Sequence, residues 1–212
     1  MPTPQPAQAI RLYGFRLSGH AHRVQLFLSL LDLPVEMIYV DLRGGEQKQP
    51  AFLAKNPFGQ VPVIEDGDVT LADSNAILVY LASKYGEPHW LPRDAEGAAA
   101  VQRFLSVAAG EIARGPALAR AAALFGVPCD RAAAQALAVR LLGIFDSHLA
   151  GRAFLVGTQP SIADIACYSY IAHAPEGGIP LEPYANLRNW LSSVEALPGF
   201  VPMQASATKA ET

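Results

Sequence analysis

The spacing of apolar residues changes once along this chain, and that change limits the fold more than any other feature. Up to about residue 86, strand-like and helix-like runs alternate. Ile10–Phe15 is short, apolar and β-rich. Ser18-Gly19-His20 interrupts it and can open a helix, in which Val24, Phe27, Leu28 and Leu31 fall at i, i+3, i+4 and i+7 along one face. Leu33-Pro34 ends that helix, because proline pushes its predecessor out of the helical region. Val35–Val40 reads as a second strand, and a strand–helix–strand crossover expects parallel strands. A polar stretch, Asp41–Pro50, follows. Val61–Ile64 and Val69–Leu71 then flank Glu65-Asp66-Gly67-Asp68, where Asp-Gly is a strong hairpin signal. A helix is expected from the capping pair Asp73-Ser74, carrying Ile77, Tyr80 and Leu81 inward, to Gly86.

Tyr85–Pro92 reads as a linker. After it only the 3.6-residue period survives. Val101, Phe104, Leu105, Ala108 and Ile112 form one apolar stripe, Leu137, Leu141, Ile144 and Phe145 a second, and Leu187, Trp190, Leu191 and Val194 a third. Breaks fall at Gly126-Val127-Pro128, Gly157–Pro160 and Gly177–Pro180. The fold class is α/β plus all-α: a βαβ-ββα domain over 8–86, then a helical bundle domain over 93–205. Ser161-Ile162-Ala163-Asp164 opens one of its helices with the reciprocal side-chain caps of a capping box, so Asp164 is expected to serve folding.

Composition removes several function classes. With 51% hydrophobic and 17% charged residues the chain can bury a real core. A net charge of −3 supplies no overall basic surface for nucleic acid. No apolar run approaches the roughly 18 residues that span a bilayer. Cys129 and Cys167 make neither a disulfide framework nor a zinc site, and are expected to be buried thiols. The histidines show no ligand spacing, and no metal is expected. Met1–Pro6 and Ala205–Thr212 read as a short lead and tail without signal-peptide character, so the expected location is cytoplasmic.

Several residues carry two readings at this level. Ser18 is an ordinary cap or a site hydroxyl. Asp73-Ser74 is a helix cap or an anion site at a helix N-terminus. His20 is a solvated helix-start histidine or a hydrogen-bond donor. Pro62 stands in a strand-like run where its missing N–H is a liability, and the base rate for a cis X–Pro bond is only about 5–6%.

Ser18-x-x-x-x-Arg23-Val24, Asn56-Pro57-x-Gly59-Gln60-Val61-Pro62-Val63, Asp73-Ser74-x-Ala76-Ile77 and Ser161-Ile162-Ala163-Asp164 occur in an order and spacing that resemble the cytosolic glutathione transferases of the bacterial, theta-like, serine type. The resemblance spans about residues 10–203. It implies a thioredoxin-like glutathione-binding domain and a helical domain lining a pocket for a small hydrophobic electrophile. It implies a homodimer, with glutathione as co-substrate. It also implies a cis Val61-Pro62 bond, leaving the Val61 backbone to pair with the cysteinyl unit as an added strand.

Within that family frame, each residue has a chemical task. A thiol with pKa near 8.5 is only a few per cent ionised at pH 7, and the thiolate is the nucleophile. Lowering its pKa by two units takes about 2.7 kcal/mol. One hydrogen bond to a charged acceptor gives about 1.5–3 kcal/mol, and a helix N-terminus about 0.3–1 kcal/mol. Ser18 would donate to the sulfur, with His20 as an accessory donor, while Arg23 would serve packing. Asp73 would pair the γ-glutamyl ammonium and Ser74 the adjoining carboxylate. Gln47 and Lys48 would hold the glycine carboxylate, and Gln60 stands beside Val61 and Pro62. Gln47 and Gln60 depart from the histidine and lysine often found in relatives. Tyr168 and Tyr170 are expected in the core rather than in the electrophile pocket. Two further functions stay open: glutathione-dependent disulfide or peroxide reduction, and a non-catalytic binding protein on the same fold.

Overall fold

The computed structural model describes residues 5–206 of the 212. All but the inner ends of the expected lead and tail lie outside them. Strands β1 (Ile10–Gly14), β2 (Val35–Tyr39), β3 (Val63–Asp66) and β4 (Val69–Ala72) form one sheet in the order β2-β1-β3-β4. β1 and β2 pair in parallel across helix α1 (Gly19–Leu30), as the crossover requires. β3 runs antiparallel to β1 and β4 antiparallel to β3, joined by a tight turn with Gly67 at φ 59°. β3 starts two residues later than expected, because Pro62 precedes the strand instead of lying in it. The Val61-Pro62 bond is cis.

The stretch expected to be only polar loop holds a 3-10 turn at Glu46–Lys48 and the one-turn helix α2 (Pro50–Leu53). Helix α3 (Ser74–Tyr85) closes this half. Beyond the linker, α4 (Ala95–Val107), a π-helical segment (Ala108–Ala117) and α5 (Leu118–Phe125) form one continuous run, followed by α6 (Arg131–His148), α7 (Ile162–Ala172), a 3-10 turn (Ala174–Gly177) and α8 (Ala185–Glu195). Pro116 lies in the π segment, where its missing N–H cannot serve a regular helical ladder. The first and third stripes are buried throughout. The second is not: α6 buries Ala134, Ala138, Leu141, Leu142 and Phe145, while Ile144 is 50% exposed. In this Ala-rich helix, small side chains permit close packing on the inner face and leave the larger Ile144 outside.

One apolar core runs from the sheet through α1 and α3 into the helical bundle. Several contacts stitch the halves. His22 Nε2 meets the Val201 carbonyl at 2.9 Å and its Nδ1 meets Ser169 Oγ at 2.8 Å. Since a carbonyl only accepts, Nε2 carries the proton and Nδ1 accepts from the hydroxyl. Asn75 Nδ2 donates to the Leu105 carbonyl, and Phe27 packs edge-on against Trp90. Asp164 is fully buried. It takes hydrogen bonds from the Ser161 and Leu155 amides, Ser161 Oγ and Trp190 Nε1 at 2.8–3.1 Å, so the cap also anchors the preceding loop and α8. Cys167 is buried, but Cys129 is exposed, contrary to expectation, because it lies in the break between α5 and α6. No helix among the described residues is long and apolar enough to cross a membrane, and no group of acidic, histidine and cysteine side chains there could hold a metal ion.

Candidate active site

A cavity of about 690 Å³ opens where the N-terminus of α1, the loop before β3 and the start of α3 converge. Ser18, His20, Gln47, Gln60, Val61, Pro62, Asp73 and Ser74 all line it. Lys48 does not. It is exposed, and its ammonium folds over Gly59, 3.0 Å from where a Cβ there would stand. Of the expected residues, Lys48 alone is absent from the cavity wall.

Ser18 is the N-cap of α1, and its Oγ accepts the Ala21 amide at 3.2 Å. Accepting leaves its own proton available, so capping and donation to a sulfur are compatible. Gly19 permits this placement: a Cβ there would sit 2.8 Å from the Tyr170 ring. Neither the N–H nor the C=O of Val61 has a hydrogen-bond partner among the described residues, and Val61 lines the cavity wall just before β3. The loop that presents it is pinned by buried Asn56, which donates to the Gln60 carbonyl and accepts from the Phe58 amide. Gly59 completes that turn at φ 60°, against the Gln47 carbonyl.

Asp73 has φ 71°, a region L residues rarely adopt, and such strain clusters at functional sites. Its Oδ1 caps α3 by accepting the Asn75 and Ala76 amides at 2.9 Å, while Oδ2 has no partner among the described residues. The first-turn amide of Ser74 has no intrahelical acceptor, as at any helix start. Ser74 Oγ accepts from Arg23 Nη1 at 3.2 Å and lies 3.3 Å from His20 Nδ1. Burial, and then the neighbouring Arg23 charge, depress the His20 pKa to about 3, so the ring is neutral at pH 7. Its edge meets the Tyr170 ring at 5.0 Å. His20 is thus no solvated helix-start residue. Arg23 is buried and directs one arm at Ser74 and Asn75 rather than at a carboxylate.

A second cavity, about 540 Å³, adjoins the first. Its wall is mostly apolar, with Phe15, Leu17, Leu124, Phe125 and Tyr170, and both halves of the chain contribute. Tyr170, buried in the core as expected, also lines it, whereas the Tyr168 hydroxyl is turned to Glu195. Ser18 and Leu42 are the two residues that line both cavities. The arrangement can hold a polar, zwitterionic ligand on one side of the Ser18 hydroxyl and an apolar molecule on the other. Neither cysteine lines either cavity. The sequence motifs point to the first cavity. They miss Leu42, Tyr170 and the interdomain cavity, since those meet only by long-range packing. The glycines at 19 and 59 were the available signal.

Comparisons with known proteins agree with this fold. Residues 8–83 match the family model described as the glutathione S-transferase N-terminal domain, and residues 130–198 the one described as the C-terminal domain. Glutathione S-transferase theta-1 of Mus musculus is 35% identical over 203 residues, covering 90% of this chain and 84% of that protein. Glutathione S-transferase 3 of Zea mays is 34% identical over 207 residues, covering 90% and 91%. The crystal structure of a glutathione S-transferase from Pseudomonas fluorescens superimposes with a TM-score of 0.87 at 34% identity, covering 93% of this chain and 100% of that one.

Proposed function

Because the chain belongs to the glutathione S-transferase family, we propose that it is a glutathione transferase in which the Ser18 hydroxyl holds the glutathione sulfur as the thiolate. The thiolate forms a bond to an electrophilic carbon, and the leaving group departs with the electron pair of the bond that breaks. The observation that carries this reading is the position of Ser18, on the shared edge of a polar cavity and an apolar one. No general base is required, since the thiol loses its proton to solvent once the anion is stabilised.

The rest of the tripeptide finds matching groups. The Asp73 carboxylate suits the γ-glutamyl ammonium. The Ser74 amide and hydroxyl, at the N-terminus of α3, suit its carboxylate. The unpaired Val61 backbone suits the cysteinyl unit as an added strand. Gln47 and Gln60 suit the glycine end, with Lys48 supplying charge from outside the wall. His20 and Arg23 orient the Ser74 hydroxyl. Residues 8–86 form the glutathione-binding domain, and residues 93–205 supply the helical side of the electrophile cavity. We read the protein as cytoplasmic, in keeping with its two free cysteines. We also read it as a homodimer, since Phe58 on the loop before β3 is 78% exposed, and Ile144 lies half-exposed in an apolar groove between α4 and α6.

Steady-state kinetics with an aryl halide test the role of Ser18. Ser18→Ala is expected to lower kcat/KM about 10–100-fold, the loss of one charge-assisted hydrogen bond, with the KM for glutathione within about twofold. Wild-type turnover in the variant would remove Ser18 from the mechanism.

A further inference from the structure

The backbone carbonyl just before Ser18 takes a hydrogen bond from the other half of the molecule. Arg120 extends from α5 and is 2% exposed. Its Nε donates to Glu176 Oε2 at 2.7 Å, and its Nη1 donates to the Leu17 carbonyl at 2.7 Å. Glu176 is itself fixed by His173 Nδ1 at 2.8 Å and by the Ser206 amide at 3.3 Å. Burial pushes the Glu176 carboxyl upward, but the His173 bond and the Arg120 charge outweigh it and hold it below its ordinary range, so it is ionised at pH 7. A Cβ on Gly177 would lie 2.8 Å from the Arg120 amide, so the turn carrying Glu176 is pressed against α5. The guanidinium is therefore clamped at its base, and its far edge grips one carbonyl of the N-terminal domain.

That carbonyl belongs to the peptide unit joining Leu17 to Ser18. The N–H of the same unit, that of Ser18, donates to the Phe15 carbonyl at 2.9 Å. A peptide unit is planar. Holding its oxygen from one side and its N–H from the other sets its orientation, and the Ser18 carbonyl, which accepts the His22 amide at 2.9 Å, fixes the φ torsion that remains and with it the direction of the Ser18 Cα–Cβ bond. Only the Ser18 χ1 torsion is then left, and the Ala21 amide restrains that. Charge-assisted bonds are roughly twice as strong as neutral ones, so Arg120 is a stiffer restraint on this loop than water would be.

We propose that Arg120 is a positioning residue for the reaction: acting through the Leu17 carbonyl, it aims the Ser18 hydroxyl at the sulfur. This rests on the role of Ser18 given above. The ion pair alone would predict a purely structural effect on α5 and the 174–177 turn. The bond to Leu17 predicts an effect on the thiol.

The test measures the thiol pKa of enzyme-bound glutathione from thiolate ultraviolet absorbance, with kcat and KM for an aryl halide, in four proteins. They are wild type, Ser18→Ala, Arg120→Lys and the double variant Arg120→Met/Glu176→Met. The double variant removes both buried charges together, which leaves neither uncompensated. It is expected to raise the bound thiol pKa by about one unit and lower kcat about tenfold, with the KM for glutathione within about twofold. Arg120→Lys, too short to bridge Glu176 and Leu17 at once, is expected to fall between it and wild type. A folded double variant with wild-type thiol pKa and kcat overturns the proposal. If the double variant does not fold, wild-type values in Arg120→Lys overturn it instead. Ser18→Ala separates the two ideas. If it leaves the thiol pKa unchanged, the role of Ser18 fails and takes this inference with it. If it raises the pKa while the Arg120 variants do not, only the inference about Arg120 fails.

Discussion

At the scale of single residues, the site depends on backbone positions as much as on side chains. Gly59 is the clearest case. Its φ of 60° would cost an L residue about 1–2 kcal/mol, and a Cβ would meet the Gln47 carbonyl at 2.8 Å, a backbone atom with little freedom to move. Gly59→Ala is therefore expected to destabilise the protein by about 1–3 kcal/mol in chemical denaturation. It should also raise the KM for glutathione, because the strain is relieved by moving Gln47 and Gln60 apart. Unchanged stability and KM would show that the turn does not shape the cavity. Ser18, Asp73 and Ser74 were legible as capping residues from sequence. Their proposed second use came only through the family resemblance, because an N-cap that also faces a ligand has the same local sequence as one that does not. The environment of His20 was hidden for a related reason: what desolvates it is Tyr170, 150 positions further along the chain.

At the scale of elements, buried polar groups with specific partners hold one element against another. Asp164 accepts from four donors with no solvent contact. Asp164→Ala would orphan the Leu155 and Ser161 amides and the Trp190 indole. The expected loss is about 3–5 kcal/mol, read as a lower denaturant midpoint, with activity per folded molecule retained. A loss below about 1 kcal/mol would mean that the loop and α8 do not depend on it. His22 makes acid the natural stress. Burial is the largest influence on it, only partly opposed by its bond to Val201, and its pKa falls from 6.5 to about 4. Its neutral form is favoured in the folded state, so its contribution is fully present above pH 6.5 and is lost as the pH falls through about 4. The contribution is of the order of 3 kcal/mol. Wild type should lose stability more steeply than His22→Gln between pH 6.5 and 4. Parallel pH curves for the two proteins would contradict this. Strands and most helices were legible because each carries its own period and punctuation. Helix α2, at four residues, is shorter than any period can reveal. The α6 face was misread because the pattern counted large apolar residues, while the packing used alanines.

At the scale of the whole molecule, the change of apolar period correctly marked an α/β half followed by an all-helical half. What it left out is the contact between them: the second cavity forms where Phe15, Leu17 and Leu42 meet α5 and Tyr170. Assembly lies beyond the single chain as well. Light scattering at micromolar concentration is expected to give twice the 22.6 kDa chain mass, and Phe58→Ser to shift it toward the monomer. A wild-type monomer would remove the dimer from the account. The central claim is about one atom, and the most direct measurement is a crystal structure with glutathione bound. The account predicts the sulfur about 3 Å from Ser18 Oγ, facing the apolar cavity, with the cysteinyl backbone paired to Val61. A sulfur directed away from Ser18, or a tripeptide bound outside this cavity, would contradict it.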